Sequence, residues 1–220
     1  MYFAISGNTG AGKSTLGRYL CDKLNKNIPI EYVDESLFHH EFIQQMFEKP
    51  SKYAFLMQMN FLVQRALKIK FLSENGKLFL IERSMDEDFL FAYRYYHLKN
   101  ISVKDFIIYK KFWKLCINSV PTPSLYIYLS SDDPKLLTKR VIQGNKTGAR
   151  TKELPDDDLY KYVCQMNELY KNWFSSLRKN KIEVPIFEGD LRKHNNFIKI
   201  ANDVLAATKF KTINDKGKID

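Results

Sequence analysis

Gly7-Asn8-Thr9-Gly10-Ala11-Gly12-Lys13-Ser14 is a complete G-x-x-x-x-G-K-[ST] loop, and its flanks are those such a loop needs. Tyr2-Phe3-Ala4-Ile5-Ser6 before it is an apolar, β-prone run, while Leu16, Leu20 and Leu24 after it recur at the spacing of one helix face. A strand feeding a helix through this loop aims several backbone N–H groups and the positive helix end at one anion. Gly10 and Gly12 let the backbone approach closely, Lys13 can reach the β- and γ-phosphates, and the Ser14 hydroxyl can hold Mg²⁺. Gly7 through Ser14 and the adjoining Thr15 therefore read as the binding segment for a nucleoside triphosphate.

At 220 residues, with 45% hydrophobic and 14% aromatic residues, the chain can bury one sizeable core. No run approaches the ~20 uncharged apolar residues of a membrane span. A phosphate-loop strand beginning at residue 2 leaves no room for a leader segment, so a cytoplasmic protein is expected. Cys21, Cys116 and Cys164 are scattered without C-x-x-C spacing, which fits a reducing compartment. His39, His40, His97 and His194 lack zinc-ligand spacing, leaving Mg²⁺ as the metal expected. The formal net charge is +10. It is spread as single lysines along helical stretches, and we read it as solvated helix faces and a positive cleft rather than a nucleic-acid footprint.

Strands alternate with helices along the chain. Expected strands are 2–6, 30–33, 78–81, 125–129 and 184–187. Helices are expected over 39–47, from Pro50 to about Leu72, as two after Ser84 with the second starting at Ser102, from Asp133-Pro134 through Val141, over 159–177 and from about Asn196. Residues 143–157 read as a polar loop and 208–220 as a frayed tail behind one domain over 1–207. This order predicts an α/β fold, a five-stranded parallel sheet with helices on both faces and ligands beyond the carboxyl ends of the strands. The second strand ends at Asp34-Glu35 and the third at Glu82-Arg83, so carboxylates and an arginine converge on the γ-phosphate. Phosphoryl transfer needs such a set: Glu35 could accept the acceptor's proton, Glu82 could support Mg²⁺, and Arg83 could bridge nucleophile and phosphate.

Glu82-Arg83-Ser84, the phosphate loop, the glutamate after the second strand and the segment from Gln45 to Gln58 together resemble the deoxynucleoside kinase family. The resemblance runs from residue 1 to about 207 and is closest to the deoxycytidine/deoxyguanosine/deoxyadenosine kinase branch. It implies a P-loop fold, usually dimeric, that moves the γ-phosphate of ATP to the 5′-hydroxyl of a deoxynucleoside with Mg²⁺. Gln58 and Arg65 share one helix face, about two turns apart. A glutamine amide, with its acceptor and two donors, can pair with a base edge. By resemblance Gln58 pairs with the base, while Arg65 and Asp88 read an amino- or oxo-substituted ring. Thymidine should then be poor, and the Glu87-Asp88 dipeptide resembles purine-preferring bacterial members.

Two positions depart from the family pattern. Phe47 stands where the family usually has a tyrosine whose hydroxyl holds the sugar 3′-oxygen. Glu35 is followed by Ser36 rather than proline and preceded by Asp34, which leaves Asp34 as a second candidate base. The stretch after Arg140 resembles the family lid. It implies Arg140 and one of Arg150 or Lys146 as cations over the triphosphate, with Glu153 of Arg150-Thr151-Lys152-Glu153 reaching the sugar. Other readings of the same loop are a nucleoside-monophosphate kinase, which would need more arginines for its charged acceptor, and a nucleic-acid-associated ATPase.

Overall fold

The computed structural model describes residues 1–26, 28–39, 41, 43–147, 154 and 156–186, with the single positions 202 and 206. Strand β1 (Tyr2–Gly7) leads through the phosphate loop into α1 (Lys13–Leu24). There follow β2 (Glu31–Val33), a 3-10 turn (Glu35–Phe38), α2 (Ile43–Glu48), α3 (Pro50–Glu74) and β3 (Phe79–Glu82). The second half comprises α4 (Met85–His97), α5 (Val103–Ser119), β4 (Leu125–Ser130), α6 (Pro134–Lys146), α7 (Asp156–Ser176) and β5 (Lys181–Pro185).

The strands form one parallel five-stranded sheet in the order β2-β3-β1-β4-β5. The inner strands β1, β3 and β4 are buried on both faces, which is why they read as nearly unbroken apolar runs. On one face Phe3, Ile5, Leu80, Ile127 and Leu129 meet Leu16 and Leu20 of α1 with Leu137 and Val141 of α6. On the other, Ala4, Phe79, Ile81 and Tyr126 meet Leu62 and Ile69 of α3, Met85 and Ala92 of α4 and Tyr109 of α5. The chain runs outward from β1 to β2, returns to β3, and then crosses to β4 on the far side of β1. The phosphate loop thus emerges where the winding reverses, the place in such sheets where ligands bind.

Several boundaries differ from the sequence expectation. The helix expected over 39–47 spans Ile43–Glu48, and a separate 3-10 turn precedes it, capped by Asp34 Oδ1 accepting from Ser36 N at 3.0 Å. The polar loop expected from 143 is helical through Lys146: Gly144, whose cost within a helix is about 1 kcal/mol, is carried by its neighbours. Helix α7 begins at Asp156 rather than 159. Strand β5 begins at Lys181 and ends at Pro185; among the described residues it pairs with β4 alone, and its alternating Lys181-Ile182-Glu183-Val184 pattern is that of an edge. The expected terminal helix from Asn196 and the tail 208–220 lie outside the described residues, apart from the two single positions.

Candidate active site

The phosphate loop is shaped by what lies against it. Gly10 has φ +75°, and a Cβ there would sit 2.4 Å from the Leu137 carbonyl of α6, so only glycine fits both the conformation and the space. Asn8 Nδ2 donates to the Val163 carbonyl of α7 at 2.8 Å, while its Oδ1 accepts from Thr9 N at 2.8 Å. The loop is therefore wedged between α6 and α7. Lys13 is buried, its Nζ donating to the carbonyls of Gly7 (3.1 Å) and Asn8 (3.2 Å). Burial, then the nearby Arg83 cation, bring its ammonium down to about 8. Gly12 is the N-cap of α1, Ala11 is buried, Ser14 is half-buried and Thr15 exposed in the first helical turn.

Beyond the ends of β2 and β3, Arg83 and Glu35 form an ion pair through Arg83 Nε and Glu35 Oε1. Arg83 adopts φ 63°, a left-handed conformation that costs a bulky residue of order 1–3 kcal/mol and needs support from its surroundings. That support is extensive. Arg83 N donates to the Ile5 carbonyl at 2.9 Å, Nη1 bonds the Tyr170 hydroxyl of α7, and the guanidinium lies over the Phe91 ring at 4.6 Å. Glu87 Oε2 stands 4.0 Å from Nη1, while its Oε1 accepts from Ser84 N and Ser6 Oγ. Burial alone would raise the Glu35 carboxyl, but Arg83, Lys13 and Arg65 outweigh it and bring it down to about 2. The neighbouring Asp34 is engaged elsewhere, with Arg18 Nη2 at 2.9 Å and the Ser36 amide.

Arg65 on α3 is buried with Asp88 on α4. Its Nε donates to both Asp88 oxygens (3.0 and 3.2 Å), its Nη1 to the carbonyls of Glu82 (2.6 Å) and Arg83 (3.4 Å), and its guanidinium lies over Phe38 at 4.8 Å. Burial pushes Asp88 up to about 6 against the pull of Arg65. Gln58, one face with Arg65, is buried and directs Nε2 at Met46 Sδ, 3.9 Å away. Glu35, Gln58, Arg65, Arg83 and Asp88 line one cavity of about 90 Å³, walled also by Phe47 and reaching Thr9 of the phosphate loop. Sequence-predicted groups for the triphosphate and for the acceptor thus meet in a single space.

Arg140 is half-buried on α6, the helix that presses on Gly10, and does not line that cavity. Lys146 is exposed at the end of α6. Arg150 and Glu153 lie outside the described residues. Phe38, Phe91 and Tyr170 are not singled out by sequence, and Glu87 is noted there only beside Asp88, not as a partner of Arg83. Aromatic residues on amphipathic helices read as core, and only the capping position of Glu87, three residues after Ser84, was a local signal.

A family model for deoxynucleoside kinase matches residues 3–211. The chain belongs to the deoxynucleoside kinase family. This kinase is 26% identical over 207 residues to the deoxyadenosine/deoxycytidine kinase of Bacillus subtilis (strain 168), the match covering 92% of this chain and 90% of the relative. It shares its fold with a deoxyadenosine kinase from M. mycoides. With products dCMP and dCDP bound, that structure aligns at a TM-score of 0.76 and 23% identity, over 94% of this chain and 100% of the other. With dATP bound it aligns at a TM-score of 0.73 and 22% identity, over 92% and 99%. The protein is an enzyme that transfers a phosphoryl group from a nucleoside triphosphate to a deoxynucleoside.

If Lys13 meets the triphosphate as the loop sequence predicts, its ammonium gives the kinase a pH signature. Only the charged form attracts an anion, and in the free enzyme that form is lost as pH rises through about 8. The kcat/KM for ATP, which reports the free enzyme, should fall above that pH, whereas kcat should hold to higher pH because bound phosphates favour the cation. A profile of kcat/KM flat into the range of an ordinary lysine, about 10.4, would contradict this.

Proposed function

We propose that this kinase moves the γ-phosphate of ATP to the 5′-hydroxyl of a deoxynucleoside, with deoxyadenosine, deoxyguanosine or deoxycytidine preferred over thymidine. The observation that carries the reading is the single cavity in which the Glu35–Arg83 pair faces Gln58 and the Arg65–Asp88 pair beside Thr9. Glu35 accepts the hydroxyl proton. A carboxylate held so acidic by three cations is a weak base, but arriving phosphates offset those cations, and in a loose transition state the nucleophile's proton leaves late. Lys13, Arg83 and Arg140 spread the charge of the transferring group, joined by Arg150 or Lys146, and Glu153 meets the sugar. Phe47 closes the sugar side as an apolar wall, without the hydroxyl that a tyrosine would offer.

Ser14 and Glu82 suit Mg²⁺, which takes hard oxygen ligands, keeps several waters and needs only one or two protein groups beside substrate phosphates. Bound there, the ion would draw charge from the β- and γ-phosphate oxygens. At the base, Arg65 Nε and Nη1 are committed to protein acceptors, which leaves Nη2 for a ring nitrogen or carbonyl, and the filled space disfavours the 5-methyl group of thymine. The deoxyadenosine/deoxycytidine specificity named for the Bacillus subtilis relative agrees with this reading. Unpaired Cys21, Cys116 and Cys164 fit a cytoplasmic location, and no helix among the described residues is long and apolar enough to cross a membrane.

A homodimer is part of the proposal. Helix α5 buries only Tyr109 fully, while exposing Val103, Ile107, Ile108 and Leu115, and the adjacent α3 exposes Leu67 and Phe71. A helix apolar on faces its own chain does not cover is built for a partner surface. Sedimentation should give a dimer that Phe71→Glu with Ile108→Glu converts to monomer; a wild-type monomer at micromolar concentration would refute the assembly.

For catalysis, Glu35→Gln should lower kcat by roughly 10²–10⁴-fold with ATP binding retained. Near-normal turnover there, with Asp34→Asn inactive, would move the role to the neighbour. For specificity, a panel of nucleosides with labelled ATP decides the assignment. Phosphorylation of deoxyadenosine, deoxyguanosine or deoxycytidine with the highest kcat/KM is expected, and thymidine ranking first would overturn it.

A further inference from the structure

Tyr32 on the edge strand β2 reaches one of the two residues assigned above to the metal. Its hydroxyl donates to Glu82 Oε1 at the end of β3. Room for the ring is made in the backbone of α1. Gly17 lies beneath it, and a Cβ at that position would stand 2.3 Å from Tyr32 Cε2 and 3.0 Å from Cζ. A glycine inside a helix costs about 1 kcal/mol relative to alanine, and here that cost opens the seat of one side chain.

We infer that Tyr32 is a positioning residue for the metal-bound triphosphate, orienting the Glu82 carboxylate from a ring seated on Gly17. The inference rests on the reading of Ser14 and Glu82 as the Mg²⁺ side of the site. With one oxygen held by the phenol, Glu82 has a set orientation and its second oxygen is left to the metal and its waters. Without that hold, the carboxylate must be immobilised when the metal binds. Groups that orient metal ligands in this way are worth about 10–100-fold in metal affinity or activity. Tyr32 also lies three residues before Glu35, so the same ring ties to Glu82 the strand that leads into the 3-10 turn carrying the acceptor-side carboxylate.

Manganese reports on this without turnover, since its electron paramagnetic resonance signal falls when the ion is bound. Mn²⁺ is titrated into the full-length enzyme with a non-hydrolysable ATP analogue, for wild type, Tyr32→Phe, Gly17→Ala and Glu82→Gln. Tyr32→Phe keeps the ring on its seat and should weaken Mn²⁺ by about tenfold, while deoxynucleoside affinity and analogue affinity in EDTA stay within about twofold of wild type. Gly17→Ala, which displaces the ring, should weaken the metal in the same direction. Wild-type Mn²⁺ affinity in Tyr32→Phe, with Glu82→Gln impaired, would overturn the inference. So would an equal loss of all ligands with a lowered melting temperature, which is the mark of a merely structural residue. Unchanged affinity in Glu82→Gln as well would instead sink the metal assignment itself.

Discussion

A buried guanidinium holds the site together. Arg65 is 0% exposed, and a charge taken out of water costs several kcal/mol unless it is paired and its donors are used. Asp88 supplies the counter-charge, Phe38 supplies a ring face, and the carbonyls of Glu82 and Arg83 supply acceptors at the end of β3. These partners come from α4, the 3-10 turn and the third strand, so one side chain on α3 fixes four segments. The carbonyls are those of the turn at which Arg83 takes its left-handed backbone. Arg65 therefore stabilises the conformation that aims Arg83, whatever it contributes to the base. Breaking such a pair by removing one partner leaves an unpaired buried charge, at about 3–5 kcal/mol.

From that anchor the charges form a graded series across the cavity. Arg83 shares its charge with Glu35 and the Tyr170 hydroxyl, and Lys13 is borne by loop carbonyls with Arg83 nearby. Lys13 is pushed down by burial and then by Arg83, while Arg83, Lys13 and Arg65 overcome burial to pull Glu35 down, so Arg83 couples both groups electrostatically. A triphosphate entering this field meets cations already desolvated and fixed, the kind of preorganisation that makes charge stabilisation effective in a transition state. Helix α7 spans both halves: Val163 accepts from Asn8 of the phosphate loop, and Tyr170 meets Arg83 about two helical turns later.

The fold was legible because each inner strand is an unbroken apolar run and the phosphate loop fixes which strand comes first. Strand-end logic likewise brought Glu35, Glu82 and Arg83 together from sequence alone, and the structure places Glu35 and Arg83 in direct contact. Legibility failed where local chemistry was two-sided. Asp34 reads as a rival carboxylate; its capping bond to Ser36 is local, but its pair with Arg18 on α1 is a tertiary fact that no spacing shows. Tyr170 and Phe91 fit an ordinary core pattern, and only the fold turns them toward Arg83. The edge strand β5 lacks the apolar run of a buried one, and Gly144 falsely suggested the end of a helix.

Helix α3 shows how the sequence reconciles these demands in one element. Ala54, Gln58, Leu62, Arg65, Ala66, Ile69 and Leu72 make the buried face, two of them polar because they border the cavity. Leu67 and Phe71 stand exposed on the same helix, so its apolar residues do not collect into a single stripe. Such a helix contradicts the pattern of a surface element in an isolated domain, and the contradiction is resolved if both sides carry function. The inner side holds the buried arginine that shapes the site, and the outer side is the surface proposed to meet a second copy. With Pro50 at its start and no proline or glycine inside, α3 continues without a break to Glu74. A second copy on the outer side would therefore meet the same unbroken helix that carries Arg65 and Gln58 at the cavity.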